Sequence, residues 1–377
     1  MDFLQSMFGA YAEAKTLQAI IDRSNAKFNL PFWNRYFSVG VPSMVLTYVT
    51  ALGKTRLDAA ASLVSRNART PLRSRANLGK LTGSIPAIKV MKTLDEDDYR
   101  SYLTFQALQI ADTTKKAQLL DLLFGDIAST VNSINKRLDY MTLEGLSTGF
   151  ITVTADNNPD GVILDTLDLL VPNNNFVGVS AIWKNVDGTP NAAALPITDL
   201  RNLVNYITAL GKHVDTIFIS FSMFQVFITN PEVISTLKGF FNPGSNQRYT
   251  GTLDTINAYL TAMQYPTFTI LNEVVMIEKD GANHMYRPFK DANVVLVPAG
   301  NLGEIKNALA VEELQPVTNV GYSKQGNILV SKWFANEPFG EYTKAEWNAF
   351  PSFDSVIETF IMETDTVGVI PALPINL

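Results

Sequence analysis

Residues 120–153 read LDLLFGDIASTVNSINKRLDYMTLEGLSTGFITV, and this stretch decides the fold. Apolar side chains recur there at every third or fourth position, namely at Leu120, Phe124, Ile127, Val131, Ile134, Leu138 and Met141. This spacing places them along one face of an α-helix of about six turns. Gly145 or Gly149 is the expected end of the helix, because glycine readily adopts the positive φ that closes a helix. The stretch therefore predicts a long core helix against which a sheet packs.

On the carboxyl side of this helix, short strand and helix patterns alternate. Segments 150–155 and 161–164 read as paired strands around the turn-forming sequence DNNPDG. Further strands are predicted at 216–220, 268–271, 274–278 and 294–297, and helices at 196–210, 222–228 and 253–263. Together these segments indicate a compact α/β unit. Segments 326–334 and 353–363 return to β character, so a final strand is expected to pair with an earlier one.

On the amino side of the helix, the pattern is less regular. Residues 10–23 are typical of a short amphipathic helix, residues 28–37 are aromatic and read as extended chain, and residues 44–51 read as a strand. Thr93 and Glu96 form a T-x-x-E capping box, which predicts the start of a second helix that continues to about Ile110. The fold class that all these elements indicate is α+β.

The overall composition excludes several classes of protein. The 377 residues carry a formal net charge of −6, hydrophobic residues make up 46% of them, and there is no cysteine. Disulfides and thiolate metal sites are thereby excluded, and the acidic balance does not suggest a general nucleic-acid-binding protein. No apolar run approaches the ~18–20 residues of a membrane span, and the N-terminus lacks the pattern of a secretory signal. We expect a protein that stays where it is made and has no membrane partner.

Between Lys54 and Lys92 the charge balance is reversed, since nine basic residues and one acidic residue, Asp58, give this segment a net charge of +8. The segment can be a solvated loop, bind nucleic-acid phosphates, or lie across the acidic surface of a neighbouring copy. It contains no aromatic residue that could stack on bases, and its scattered apolar residues are poorly suited to fold alone. These features favour the neighbouring copy. The predicted intersubunit contacts are Lys54, Arg56, Arg66, Arg69, Arg73, Arg75, Lys80 and Lys89.

Aromatic residues near the N-terminus indicate a second contact surface. A terminal segment this rich in aromatic side chains needs a surface to cover. We therefore expect an N-terminal arm, residues 1–40, to contact neighbouring copies. Its predicted contact residues are Phe28, Phe32, Trp33 and Tyr36.

The sequence contains no set of residues that is typical of an active site. Its two histidines, His213 and His284, do not have the spacing of metal ligands. Residues 145–149 match the motif G-x-S-x-G, but a nucleophile elbow follows a strand and opens a helix, whereas this motif ends a helix. A helix closed by glycine is the favoured interpretation. We predict a protein that is not an enzyme and that has no cofactor and no metal.

The order of elements resembles the major capsid proteins of tailed bacteriophages (Caudoviricetes) with the Hong Kong 97 (HK-97) fold, and among them the branch of the lambda major head protein. Three stretches carry the resemblance. In Leu143–Val153 a spine helix runs into a hairpin, in Tyr286–Gly303 a strand ends in a Pro-x-Gly turn, and in Trp347–Pro371 a strand precedes an acidic exit. In element order the resemblance covers nearly the whole chain.

The resemblance implies a division of the chain into five parts. These are an N-terminal arm (1–40), a strand with an extended basic loop, the E-loop (41–92), a peripheral domain with the spine helix and hairpin (93–190), an axial α/β domain (191–320), and a return to the peripheral domain with a C-terminal tail (321–377). It also implies that hexamers and pentamers of this chain assemble in the bacterial cytoplasm into an icosahedral shell, the virion capsid, around double-stranded DNA.

The partners that the resemblance implies are other copies of the chain, a separate scaffold, a portal and a decoration protein. Contact with packaged DNA is expected to be weak and non-specific, because the rest of the chain is acidic. Two other interpretations stay open. One is the shell of an encapsulin-like nanocompartment, whose cargo would be an enzyme, and the other is a different virion structural protein such as a tail or sheath subunit.

Overall fold

The computed structural model describes residues 30–52, 79–107, 113–242, 244 and 250–371. Two compact units are defined by contacts within the chain. Within the described ranges, unit 1 comprises residues 30–48, 82–107, 113–139 and 304–352. Unit 2 comprises residues 49–52, 79–81, 140–242, 244, 250–303 and 353–371.

Helices and strands are mixed along the described chain, which confirms the α+β class. The helices are α1 (Phe32–Tyr36), α2 (Glu96–Ala107), α3 (Thr113–Thr148), α4 (Pro196–Ala209), α5 (Phe221–Ile228), α6 (Pro231–Phe241), α7 (Leu253–Ala262) and α8 (Val311–Leu314). The first strands are β1 (Phe37–Val39), β2 (Thr47–Leu52), β3 (Gly79–Ser84), β4 (Ala87–Leu94), β5 (Phe150–Val153), β6 (Leu164–Asp168), β7 (Phe176–Val179), β8 (Thr216–Ser220) and β9 (Thr267–Leu271). The others are β10 (Val275–Lys279), β11 (Ala282–Tyr286), β12 (Asn293–Val297), β13 (Gly303–Ala308), β14 (Gly321–Gln325), β15 (Ile328–Asn336), β16 (Phe339–Phe353) and β17 (Phe360–Val367).

Helix α3 is the long helix that the apolar stripe predicts. It spans 36 residues, which at 1.5 Å per residue is about 54 Å. Its side chains Ile127, Val131, Ile134 and Leu138 are buried, as the stripe requires. The helix closes at Gly149, which has a φ of 77° and whose N–H donates to the carbonyl oxygen of residue 145 at 2.9 Å. The predicted end of the helix is therefore confirmed at the second of the two candidate glycines.

Unit 1 is built on a six-stranded sheet in the order β1-β13-β16-β15-β14, in which β4 also pairs with β16. The pairing of β15 with β16 is antiparallel and runs from Leu329 opposite Glu346 to Asn336 opposite Phe339. Strand β4 also lies antiparallel to β16, along eight residue pairs. The end of the E-loop, from Ala87 onward, is therefore fixed directly into this sheet.

Unit 2 is built on a five-stranded sheet in the order β7-β17-β12-β8-β9. Helices α4, α5, α6 and α7 supply side chains to one apolar core with this sheet, and Leu203, Phe227, Leu237, Val294 and Phe360 are fully buried in it. This is the α/β unit that the alternating pattern predicts. Two hairpins complete unit 2. They are β5–β6 and β10–β11, and Val275 and Ile277 of the latter pack on Tyr140.

The predicted capping box at Thr93 and Glu96 is wrong. Thr93 lies in β4 opposite Tyr342, so sheet pairing holds it in an extended conformation. The side chain that caps α2 is Asp95, whose carboxylate accepts a hydrogen bond from the backbone N–H of Asp98 at 3.0 Å. The helix therefore begins two residues later than predicted. Pairing of Thr93 with β16 prevents it from acting as the N-cap, because a residue paired within a sheet is not free to cap a helix.

Two further predictions near the N-terminus differ from the structure. The segment 28–37 is not extended throughout, because Phe32–Tyr36 form α1, where the backbone N–H of Trp33 donates to the Asp139 carboxylate at 3.0 Å. The strand predicted at 44–51 begins only at Thr47. The amphipathic helix predicted at 10–23 lies outside the described residues.

The final strand pairs with earlier strands, as expected, but it does so in the sheet of the α/β unit. Strand β17 lies between β12 and β7, whereas β16 belongs to the six-stranded sheet of unit 1. Segment 321–377 is thus divided near Phe353 between the two sheets, because the buried side chains of β17 fill the core of unit 2. The five-part division of the chain otherwise stays a prediction.

Candidate assembly surfaces

Within the E-loop, strands β2 and β3 pair as a two-stranded sheet. At its base the backbone N–H of Ile85 donates to the carbonyl oxygen of Leu46 at 2.6 Å. The buried ring of Tyr48 stacks on Phe350, with ring centroids 5.7 Å apart, and burial raises the pKa of its hydroxyl group. A Cβ atom at Gly83 would lie 2.8 Å from the Tyr48 oxygen, so only glycine lets β3 approach this ring. The base of the loop is therefore a packed, fixed structure.

Strand β4 is held to unit 1 by charged side chains as well as by backbone pairing. Lys89 Nζ lies 2.9 Å from Oε1 of Glu346, and Lys344 Nζ lies 2.9 Å from Oε2 of the same carboxylate. Lys344 Nζ also contacts Glu312 at 2.6 Å. Glu346 is almost fully buried, so the two lysines supply the positive charge that a buried carboxylate requires. This network joins β4, β16 and α8.

Electrostatics within this network shift the pKa values of two of its members. The hydrogen bond from Lys344 lowers the pKa of the Glu312 carboxyl group below its ordinary value, although partial burial acts in the opposite direction. Burial lowers the pKa of Lys344, but its hydrogen bonds to Glu312 and Glu346 raise the pKa by more, and the net shift is upward. Each partner thus favours the charged form of the other.

Only two of the predicted E-loop contact residues are among the residues that the structure describes. Lys80 lies in β3, and Lys89 lies in β4 with its side chain paired to Glu346 of the same chain. Lys89 is about half exposed, so this pairing leaves part of it accessible. The other predicted contacts are outside the described residues, and they are Lys54, Arg56, Arg66, Arg69, Arg73 and Arg75.

The predicted contact residues of the N-terminal arm differ in accessibility. Phe32 and Trp33 are buried within the chain, with 1% and 7% of their surfaces exposed, so they have little surface to offer to a neighbour. Trp33 packs edge-on against Trp347, with ring centroids 5.5 Å apart. Tyr36 is half-buried beside Phe32, and Phe28 lies outside the described residues. Within unit 1, this part of the predicted contact set forms core.

An acidic surface marks the start of α2. Asp95, Glu96, Asp97 and Asp98 follow one another and are all exposed. Glu96 pairs with Arg100 at 2.5 Å, one turn further along the helix. Negative side chains suit the N-terminal end of a helix dipole, so this surface is stable within the subunit. Its charge is opposite to that of the E-loop.

Sequence patterns did not reveal an exposed apolar segment at the start of the E-loop. Val41, Met44, Val45 and Leu46 are each more than half exposed, and they immediately precede β2. A segment with this many exposed apolar residues is typical of an interaction surface. The only signal in the sequence is the apolar content of VPSMVL at 41–46, which by itself favours a strand as much as an exposed surface.

The described residues show no arrangement that suggests chemistry. Ser147 of the G-x-S-x-G motif is fully buried, and its Oγ accepts a hydrogen bond from the backbone N–H of Lys290 at 3.1 Å. Among these residues no group of three or more acidic or histidine side chains could hold a metal ion. No helix in the described ranges is both long and apolar enough to cross a membrane. The serine thus has a structural role at the end of α3.

Comparison with protein families identifies the class of protein to which the chain belongs. The family model described as phage major capsid protein E matches residues 14–363, which is most of the chain. The chain belongs to this family of phage major capsid proteins. The capsid protein therefore builds a shell by self-association and is not an enzyme, and its place is the capsid of the virion. This family also favours the phage head over the encapsulin-like compartment.

Solved structures confirm the HK-97-like fold of the capsid protein. A protein described as a capsid protein of a prophage of Escherichia coli CFT073 superposes with a TM-score of 0.56 at 13% identity, over 93% of this chain and 98% of that chain. A phage-related protein of Bordetella bronchiseptica RB50 superposes with a TM-score of 0.51 at 9% identity, over 92% and 96% of the two chains. A search of the curated proteins finds no match. The lambda branch of the family therefore stays a prediction.

Proposed function

We propose that the capsid protein forms hexamers and pentamers of an icosahedral phage head, and that the basic E-loop of each copy lies across the acidic start of α2 in a neighbour. The separation of charge carries this proposal. The segment from Lys54 to Lys92 has a net charge of +8, whereas Asp95–Asp98 are four consecutive exposed acids. Opposite charges on two surfaces of the same chain favour repeated head-to-tail contacts between copies, which close into rings.

The fixed base of the E-loop supports this proposal. The packing of Tyr48 on Phe350 and the pairing of β4 with β16 give both ends of the loop a defined position on unit 1. Single exposed ion pairs contribute only ~0–1 kcal/mol each. The strength of the shell must therefore come from the number of such contacts and from their repetition by symmetry. The exposed apolar residues of segment 41–46 can add to the same interface.

Charge reversal in the E-loop tests the proposal. Replacing Arg69, Arg73 and Arg75 with glutamate lowers the net charge of the loop from +8 to +2. We expect soluble, folded subunits that no longer form particles, as measured by sedimentation and electron microscopy. The matched control replaces the same residues with lysine, which keeps the charge and should keep assembly. Normal particles from the glutamate variant would contradict the proposed contact.

A compensating reversal identifies the partner surface. In the chain that carries the three glutamates, Asp97→Lys and Asp98→Lys should restore particles, because attraction between the two surfaces returns with opposite signs. The two lysine substitutions alone, in a chain with the natural loop, should weaken assembly. If the combined variant stays unassembled while the lysine variant assembles normally, the E-loop binds a different surface.

The proposed partners beyond the chain itself are a separate scaffold, a portal, a decoration protein and packaged double-stranded DNA. Contact with DNA should be weak, since the chain outside the E-loop is strongly acidic. Particles purified from infected or induced cells should contain nuclease-resistant double-stranded DNA. Particles that instead contain an enzyme and no DNA would support the nanocompartment interpretation.

A further inference from the structure

Unit 1 contains a pocket whose lining is unusual for its lack of charge. The pocket has a volume of about 400 Å³ and lies among α1, β1, α3, the β14–β15 turn and β16. None of the described residues that line it is charged, and five of them are amides, namely Asn34, Asn132, Asn135, Gln325 and Asn327. Trp33 and Trp347 are among the lining residues, although only 7% and 3% of their surfaces are exposed. A neutral occupant with both apolar and hydrogen-bonding groups fits such a lining.

Two polar atoms of the lining residues have no hydrogen-bond partner. The indole Nε1 of Trp33 is a donor and the side-chain Oε1 of Gln325 is an acceptor, and both atoms are buried. A buried polar atom without a partner costs about 1–3 kcal/mol. A peptide group carries both missing partners, a C=O for the indole and an N–H for the amide oxygen.

The position of Leu30 indicates where an occupant can come from. Leu30 and Pro31 line the pocket, so the chain that precedes them arrives at its rim. Within residues 1–29 the longest uncharged run is 3–12, FLQSMFGAYA, which lies between Asp2 and Glu13. This run is rich in aromatic and small residues, and its lack of charge matches the pocket. The residues between this run and Leu30 span up to roughly 60 Å when extended, which is ample for a return to the pocket.

We propose that segment 3–12 docks in the pocket of the same chain. In this arrangement the segment lies against the lining residues and supplies peptide groups to Trp33 Nε1 and Gln325 Oε1. The N-terminal chain then has a binding site inside its own subunit, in addition to any contact with neighbours. Closing a loop of this length costs little more than closing a shorter one, so attachment at Leu30 favours the segment of the same chain over a free one.

Disulfide trapping tests this docking, because the natural chain has no cysteine. Cysteine is introduced at Asn132 in the pocket wall and, in separate variants, at Gln5, Ser6 or Ala10. The matched control carries the second cysteine at Ser133, which is adjacent on α3 but does not line the pocket. A disulfide requires Cα atoms within about 7 Å. We expect an intrachain disulfide with position 132 in at least one variant, at a yield about tenfold above that with position 133.

The band pattern under non-reducing conditions separates the possible results. A monomer band with altered mobility that depends on position 132 supports docking within the chain. Disulfide-linked dimers that depend on position 132 assign the pocket to a second copy and overturn the proposal. Equal yields at positions 132 and 133, or no disulfide with either, also overturn it.

A second measurement does not depend on forming a disulfide. A single cysteine at Asn132 should react with a maleimide about tenfold faster in a chain that lacks residues 3–12 than in the full chain, because docking shields the pocket. A single cysteine at Ser133 should react at the same rate in both chains. An unchanged rate at position 132 in folded protein would show that the pocket is not covered by this segment.

Discussion

The surroundings of Ser147 indicate a structural role for its hydroxyl group. Its buried Oγ accepts a hydrogen bond from the backbone N–H of Lys290 and lies 3.2 Å from the carbonyl oxygen of Glu144, to which it donates. Replacing Ser147 with alanine leaves the N–H of Lys290 without this partner, which should lower the free energy of unfolding by about 1–3 kcal/mol. Denaturant unfolding measures the loss, and particles should still form.

The matched control for this variant is Ser133→Ala. Ser133 lies on the same helix, is exposed, and donates only to the carbonyl oxygen of Ser129. Its substitution should change stability by less than about 0.5 kcal/mol. A loss of particles from Ser147→Ala at full stability would point instead to a functional serine and would contradict the structural role.

Glu312 gives the charged network a predictable pH dependence. Because its pKa is lowered in the folded protein, its contribution to stability is present above its unfolded pKa, near 4.5, and is lost as the pH falls through the folded value. We expect Glu312→Gln to be less stable than the natural chain at neutral pH, and the difference to shrink below pH 4.5. Thermal unfolding between pH 3 and 7 measures this. A difference that stays constant over that range would exclude the pairing with Lys344 as its cause.

At the scale of single residues, sequence reasoning was limited by contacts that are distant in the chain. Thr93 fits a capping box by local pattern, but pairing of β4 with β16 makes it a strand residue. Phe32 and Trp33 were predicted as contacts with neighbouring copies, and their burial could not be foreseen because it arises from contacts that are distant in sequence, such as that of Trp33 with Trp347. No local pattern contains this information. The charge of the E-loop, by contrast, could be read directly from the sequence.

At the scale of elements, a glycine inside α3 and the glycine that ends it allow opposite predictions. Gly125 lies inside the helix, and a Cβ atom added there would have no neighbouring atom within 4 Å, so Gly125→Ala should stabilise the protein by up to about 1 kcal/mol. Gly149 has a positive φ, and a Cβ atom there would lie 3.0 Å from the ring of Phe176. Gly149→Ala should therefore destabilise the protein by about 1–3 kcal/mol. Thermal or denaturant unfolding of both variants compares them, and a shift of the same sign in both would contradict the assigned end of α3.

Helices and strands whose apolar residues repeat at a regular spacing were predicted well. Strands whose bounds depend on pairing within a sheet were not. The stripe of α3 and the strand at Thr216–Ser220 follow from local pattern. Helix α6 was missed, although Asn230 caps it and Pro231 occupies its first turn. Strand β16 (Phe339–Phe353) was not predicted from local pattern, because buried polar residues such as Glu341, Thr343 and Glu346 hide its alternation. These residues are polar because they serve the charged network or the interior of the sheet.

At the scale of the whole molecule, β17 is the strand on which unit 2 depends. Phe360 is fully buried between the helices and the sheet. Its ring packs edge-on against that of Tyr206, with ring centroids 6.5 Å apart. Phe360→Ala should lower the free energy of unfolding of unit 2 by about 3–5 kcal/mol. Hydrogen exchange should show faster exchange in β8, β12 and β17, with little change in β15 and β16. The matched control is Val367→Ala in the same strand, which is exposed and should have almost no effect. Equal loss of protection in both sheets would show that the two units unfold together.

The order in which the chain supplies its strands affects when a subunit can join a shell. Strands β14, β15 and β16 complete the sheet of unit 1 only after nearly all of unit 2 has been synthesised, and β17 completes the sheet of unit 2 later still. A nascent chain on the ribosome therefore lacks both finished sheets until its last part has emerged from the exit tunnel. We therefore expect little polymerisation of chains on polysomes, because under the proposed E-loop contact a copy presents both charged surfaces on a fully folded subunit only after residue 367 has been translated.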